Sequence, residues 1–226
     1  MKRALILSLG AAAIMASCAK DNSANVNQDS IYSIYELSYN EDTDKTMARA
    51  TFRFGGPTGT LLELDAPAGV TFDGNDLGWV ELTGVHKEDW AGLTTSGTFV
   101  YTDLDENVFT NTVGTIDSIG FPTDVDTISW SSAFDFAWVG NPVGENETIT
   151  LTINGTTGGN AEVFTTITEG GTDITLSADQ LDNLGEGDAT CYLRRAYNLS
   201  EVTEGTSEGG RIAVWYDVSS TIYIKP

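Results

Sequence analysis

From residue 31 onward, apolar side chains recur every second residue in short runs, and no long stretch holds a 3.6-residue helical period. Glu147–Ile153 is the clearest run. Ile149, Leu151 and Ile153 alternate with Thr148, Thr150 and Thr152, so one face of an extended strand is apolar and the other is wet. Similar β-branched or aromatic runs, parted by Gly, Asn, Asp or Pro, fall at 31–39, 46–54, 60–64, 69–72, 78–83, 98–102 and 108–113. They recur at 127–130, 134–139, 162–167, 173–176, 188–195, 211–217 and 221–224. Many short strands with turn residues between them predict an all-β sandwich. Asp103–Asn107 reads as the tip of a hairpin between two of these runs.

One helical turn is expected near 178–184. Ser177 is placed to cap it and Gln180 to complete a capping box. Leu181 and Leu184 then face the core, and Gly185 closes the turn in the left-handed region. Pro122 and the acidic residues after it suggest a boundary near 122–125. The halves on either side, 31–122 and 123–226, are each the size of one immunoglobulin-like domain. The expected fold is therefore all-β, two immunoglobulin-like Greek-key sandwiches in tandem. A single larger sandwich is the alternative arrangement.

The first residues are of another kind. Met1-Lys2-Arg3 leads into an apolar run, Ala4–Ile14, followed by Met15-Ala16-Ser17-Cys18. A charged start, a short greasy middle and small residues describe a secretory signal, and the run is too short to span about 30 Å of hydrocarbon. Ala16-Ser17-Cys18 resembles the bacterial lipobox. That resemblance implies cleavage after residue 17, a diacylglycerol on the Cys18 sulfur and an acyl chain on its amine. Several acyl chains make a stable anchor at about 0.8 kcal/mol per buried CH₂. Ala19 at the next position carries no inner-membrane retention signal, and Lys20-Asp21 resembles part of a surface-export signal of Bacteroidetes-type bacteria. Residues 18–30 are polar and read as a flexible tether.

The 226-residue chain has 11 basic and 33 acidic residues, a net charge of −22. Loss of residues 1–17 takes Lys2 and Arg3, leaving 9 basic residues and a net of −24. Such charge argues against nucleic acid as a partner. Cys191 becomes the only free thiol, in the strand-like alternation Thr190-Cys191-Tyr192, where a buried packing role is expected.

Few groups remain for chemistry. His86 is the sole histidine, so any Ser-His-Asp triad would have to use it. Its charged neighbours Lys87, Glu88 and Asp89 read as a solvated loop. The acids are densest at Glu41/Asp42/Asp44, Asp103/Asp105/Glu106 and Asp182/Glu186/Asp188. Two carboxylates about 5–9 Å apart could hydrolyse a glycosidic bond, but most of these acids sit at predicted turns. Calcium needs six to eight oxygens. Asp103-Leu104-Asp105 and Asp73-Gly74-Asn75-Asp76 are only fragments of such a loop. The expectation is therefore no metal, no cofactor and no enzyme.

The aromatic residues are more suggestive. Trp138 alternates with Phe134 and Phe136 and is expected in a core, while Trp130 shares a face with Ile128. Trp79, in register with Glu81 and Thr83, and Trp90, in a polar stretch, are the candidate ligand-contact rings. Asp29-Ser30, Asp117-Ser118 and Asp126-Thr127, each followed by Ile, resemble the O-glycosylation acceptor of Bacteroidetes-type bacteria, making Ser30, Ser118 and Thr127 candidate sites.

The lipobox, together with segments 97–112, 145–153, 177–195 and 209–216, resembles small immunoglobulin-like outer-membrane lipoproteins of Bacteroidetes-type bacteria. The resemblance implies a lipid-anchored outer-membrane location and no activity; Lys20-Asp21 favours the cell surface over the periplasm-facing side. The functional expectation is a binding, adhesion or structural module whose partner is a protein or a glycan. The alternative is a carbohydrate-binding accessory lipoprotein of a glycan-uptake system.

Overall fold

The computed structural model describes residues 20–115, 117–156 and 159–226. The signal segment and Cys18 lie outside the described residues. In chain order the first strands are β1 (Lys20–Asn22), β2 (Ile31–Asn40), β3 (Lys45–Phe54), β4 (Thr60–Glu63), β5 (Gly69–Phe72), β6 (Asn75–Asp76), β7 (Gly78–Val80), β8 (Val85–Ala91), β9 (Gly97–Thr102) and β10 (Val108–Val113). There follow β11 (Ile119–Gly120), β12 (Thr127–Ser129), β13 (Phe134–Ala137), β14 (Val139–Gly140), β15 (Glu147–Asn154), β16 (Glu162–Thr166), β17 (Asp173–Leu176), helix α1 (Ala178–Asn183), β18 (Gly187–Leu199) and β19 (Gly210–Lys225). The fold is all-β with one short helix, as the alternation predicts.

One main sheet runs β1-β4-β3-β2-β19-β18-β15-β16, with β8 and β7 also on β3 and β12 also on β19. Its alternation is regular. Along β19, Ile212, Val214, Tyr216, Ile222 and Ile224 are buried, while Arg211, Thr221, Tyr223 and Lys225 are exposed. Three small sheets complete the fold: β10-β9-β5-β6, β11-β14 and β13-β17. Their side chains join those of the main sheet in one contiguous apolar core. In the first half the join is aromatic. Tyr35 of β2 stacks on Phe99 of β9 at 5.0 Å, and Phe52 of β3 lies 4.5 Å from Tyr101.

The main sheet does not stop at the expected boundary. β19 pairs in parallel with β2 from Gly210↔Ser33 to Asp217↔Asn40, and its other end pairs in parallel with β12. It also pairs with β18 along its length. The sheets β10-β9-β5-β6 and β13-β17 each lie within one half of the chain, while β11-β14 and the main sheet draw strands from both.

The expected capped turn is present. Gln180 N–H donates to Ser177 Oγ at 3.3 Å, the Ser177 hydroxyl donates to Gln180 Oε1 at 2.7 Å, and Leu181 and Leu184 are fully buried. Gly185 takes a φ of 74°. The expected hairpin also forms, with β9 and β10 paired from Thr102↔Val108 to Gly97↔Val113.

The segment expected as a tether differs. Lys20–Asn22 pairs in parallel with β4, and two short helical turns follow at Ser23–Asn25 and Gln28–Ser30. Polar composition alone suggested a linker, but these polar groups close on the body. Buried Ser23 accepts from Asp65 N–H at 2.8 Å, and buried Gln28 donates to Ser23 O at 2.7 Å. Each bond satisfies a group that would otherwise cost free energy to bury.

Candidate functional site

The acidic loops are mostly spent on structure. Asp103 is buried, and its Oδ1 accepts N–H bonds from Asp105 and Asn107 at 2.9 Å each, closing the hairpin tip as an Asx-type turn. At the β2–β3 turn, Glu41 accepts from Tyr216 OH at 2.7 Å, Asp44 from Tyr39 OH at 2.9 Å and Asp42 from Ser219 N–H at 3.2 Å. Two of these bonds tie the turn to β19. Glu186 accepts from Tyr223 OH at 3.4 Å. Among the described residues, no three His, Cys, Asp or Glu side chains converge as a metal cluster.

His86 corrects the loop reading. It lies on β8, only 6% exposed, edge-on to Phe52 at 5.8 Å, and its Nε2 accepts from Leu64 N–H at 3.3 Å. Burial holds its pKa below the usual imidazole range. The charged neighbours misled because a strand sends Lys87 and Asp89 to one face and His86 to the other. Cys191 is buried as expected, and burial pushes its thiol pKa up to about 12.

Trp79 and Trp90 share the inward side of the β7–β8 pair and are half-buried, not free rings. Trp79 lies 5.1 Å from His86 and donates Nε1–H to Glu81 at 2.8 Å. Trp90 is on strand β8 rather than in a loop. It stacks on Phe72 at 5.6 Å and donates to Thr94 Oγ1 at 2.9 Å. Trp90, and not Trp79, lines a cleft of about 750 Å³ between β8 and the β5–β6 turn. Asp73, Asn75, Asp76 and Glu88 line the same cleft. The structure thus brings together Trp90 and the Asp73–Asp76 fragment and leaves Trp79 outside. An aromatic wall ringed by carboxylates and an amide offers both stacking and hydrogen bonding to a hydroxylated ligand.

The outward face of the main sheet was not anticipated. Strand parity places Lys20, Lys45, Arg49, Arg53, Lys87, Arg194, Arg211 and Lys225 on it, eight of the nine basic residues from position 18 on. The same parity places Glu36, Glu63, Asp89, Asp188 and Asp217 there, five of the 33 acids. Bases outnumber acids on this face, and the large negative excess lies elsewhere. Trp215 sits at its centre between two guanidinium groups, 5.9 Å from Arg49 and 5.2 Å from Arg194. Arg194 also makes a bidentate pair with Asp217 at 2.7 and 2.8 Å, and Arg49 pairs with Glu36 at 2.5 Å. Tyr192, half exposed, extends the aromatic patch, and Thr148, Thr150 and Thr152 continue the face along β15. Periodicity could have shown that these side chains face outward; which strands adjoin is set by pairings far apart in sequence.

Of the candidate acceptors, Ser118 is exposed, while Ser30 and Thr127 are half-buried. Asp29 beside Ser30 is engaged by Ser207, whose N–H donates to it at 3.0 Å and whose hydroxyl donates at 2.7 Å.

No family model matches the sequence, and no curated protein matches it. Among solved structures, one similar chain comes from work described as "Structural insight into host cell surface retention of a 1.5-MDa bacterial ice-binding adhesin". It is 15% identical, with a TM-score of 0.25, and the match covers 86% of this chain. This chain spans 65% of that one, under two thirds of its length. A likeness of that degree carries no argument about function.

Proposed function

We propose that this protein is a non-catalytic binding lipoprotein, held in the outer membrane at the cell surface by acyl chains on Cys18. It meets a protein partner through the outward face of its main sheet. The observation that carries this reading is the composition of that face: Trp, Tyr and Arg are concentrated, and acids are scarce, on a molecule that is otherwise strongly acidic. Those are the residue types enriched at protein interfaces, and rigid aromatic and Arg anchors supply most interface energy. Elsewhere the negative charge keeps the surface soluble and repels acidic molecules. The non-catalytic part of the reading is supported by the state of His86 and Cys191, whose burial leaves each of them inside the packing. The signal-like start and lipobox support the location.

A photo-crosslinking residue at position 192, in the native membrane, tests the reading. A stoichiometric protein adduct is expected, lost when Arg194→Glu and Trp215→Ala are introduced together. The same reagent at exposed Val108 of β10, on a small sheet away from this face, should give none. A protein that stays uncrosslinked at 192 would sink the proposed face. The same digest reads the mass of Cys18 and any sugar on Ser30, Ser118 or Thr127.

The glycan-binding alternative is favoured by one observation, the Trp90 cleft with its carboxylates and amide. Its test is binding of soluble polysaccharides to the wild type and to Trp90→Ala. Loss of binding in the variant would support it.

A further inference from the structure

We propose that the turn joining β7 to β8, with Leu82 at its tip and Trp79 behind it, rests in the lipid interface beside the anchor, so that the protein sits directly on the membrane. The proposal rests on acylation of Cys18. Three observations carry it. The first is chain length. β1 begins at Lys20, two residues after Cys18, and two extended residues span only about 7 Å. The ordered edge of the main sheet therefore cannot stand far from an anchored Cys18.

The second is what lies at that edge. The Lys20 ammonium donates to Glu81 O and to Glu81 Oε1, the latter at 3.1 Å, and stands 5.8 Å from the Trp79 ring centroid. Its Cε lies 3.5 Å from where a Cβ on Gly84 would be. The turn is thus seated against the first strand after the anchor. It is closed by Thr83 N–H and Gly84 N–H donating to Val80 O at 3.1 and 2.9 Å.

The third is exposure. Leu82 is 91% exposed, the highest of the large exposed hydrophobic residues among the described residues. A single exposed Leu is ordinary. This one stands beside a Trp–Lys pair, the residue types that settle at headgroup depth with an apolar body and a polar end. The Glu81 carboxylate, its side chain 77% exposed, accepts from Trp79 Nε1–H and pairs with the Lys20 ammonium, which offsets its charge. Asp21 and Glu63, on the paired strands β1 and β4, add negative charge nearby. Attraction to anionic lipid is therefore not the driving force; the acyl chains bring the turn to the bilayer, and apolar burial holds it.

The test uses the acylated protein, reconstituted into phosphatidylcholine vesicles with brominated acyl chains. An environment-sensitive dye is placed on Leu82→Cys or, as control, on Val163→Cys of β16. That strand lies seven strand spacings across the sheet from β1, roughly 34 Å at about 4.8 Å per spacing. The dye at 82 should shift to the blue and lose most of its intensity to the brominated lipid, while the dye at 163 stays as in water. Equal, water-like emission at both positions, with Cys18 shown by mass to be acylated, overturns the docking and leaves the anchor standing. An unmodified Cys18 overturns both.

Discussion

Arg195 projects from the core face of β18, in line with Ala189, Cys191 and Leu193, and grips both oxygens of Glu147. Nε meets Oε1 at 3.0 Å and Nη2 meets Oε2 at 2.5 Å. The guanidinium is 1% exposed and the carboxylate 11%. Its remaining donors go to Asn141 O and Pro142 O, each at 2.8 Å, and Glu147 Oε2 accepts from Gly144 N–H at 2.7 Å. One buried cation thus fixes the loop 141–147 against the sheet. Arg195→Met or Glu147→Leu alone should cost about 3–5 kcal/mol, because each strands a buried charge. The pair Arg195→Met with Glu147→Leu should recover much of that loss, since an apolar pair needs no desolvation. Urea unfolding of the four proteins checks this; strictly additive losses would refute the coupling.

His86 makes stability depend on pH in a window of its own. Its folded pKa lies below the ordinary value because of burial, so the unfolded chain takes up the proton first as pH falls. Stability is full above about pH 6.5 and declines below it, down to the folded pKa. The lowered pKa values of Asp21, Asp29, Glu81 and Asp89, which come from their hydrogen-bonded partners, put their losses at lower pH, below about 4. With one histidine in the chain, His86→Gln should flatten the difference in unfolding free energy between about pH 7.5 and 5.5. An unchanged slope would mean another group titrates there.

Cys191 should be silent toward thiol reagents. It is fully buried, and burial raises its pKa to about 12, while the thiolate is the reactive form. Iodoacetamide should label it only in denaturant. Labelling of the native protein at the rate of a free thiol would show that β18 opens.

The start of β19 tolerates no side chain. A Cβ on Gly210 would come within 2.3 Å of Ser33 O and 2.9 Å of Val202 Cγ1. Gly210→Ala should push β19 away from β2 and cost about 1–3 kcal/mol. Gly69→Ala, where a Cβ meets nothing within 4 Å, is the control. It should be neutral or gain about 0.4–1 kcal/mol through the unfolded state. Thermal unfolding of the two variants separates the cases.

The features legible in the sequence are the ones that neighbouring residues settle. Thr/Ile alternation fixed β15, Ser177 and Gln180 fixed the helix start, and Asp103–Asn107 marked the hairpin tip. The parallel pairing of β2 with β19 was not legible, because almost the whole chain lies between the two strands and no local pattern names a partner. His86 and residues 20–30 were misjudged for one shared reason. Polar composition does not show whether polar groups face water or one another. At the candidate sites, Trp90 and Asp73–Asp76 were each marked, but their meeting across a cleft is tertiary. Trp215 between Arg49 and Arg194 likewise needs three strands to come together.

The pairing of β2 with both β3 and β19 has a consequence for how the molecule is made. A chain synthesised N-terminus first must carry β2 with one edge unpaired until β19 arrives. Until then, an open apolar strand can recruit a neighbouring chain. Completion of the sheet therefore waits on β19, the last of its strands to emerge. Damage to β19 should unravel β2 and β3 as well as β18.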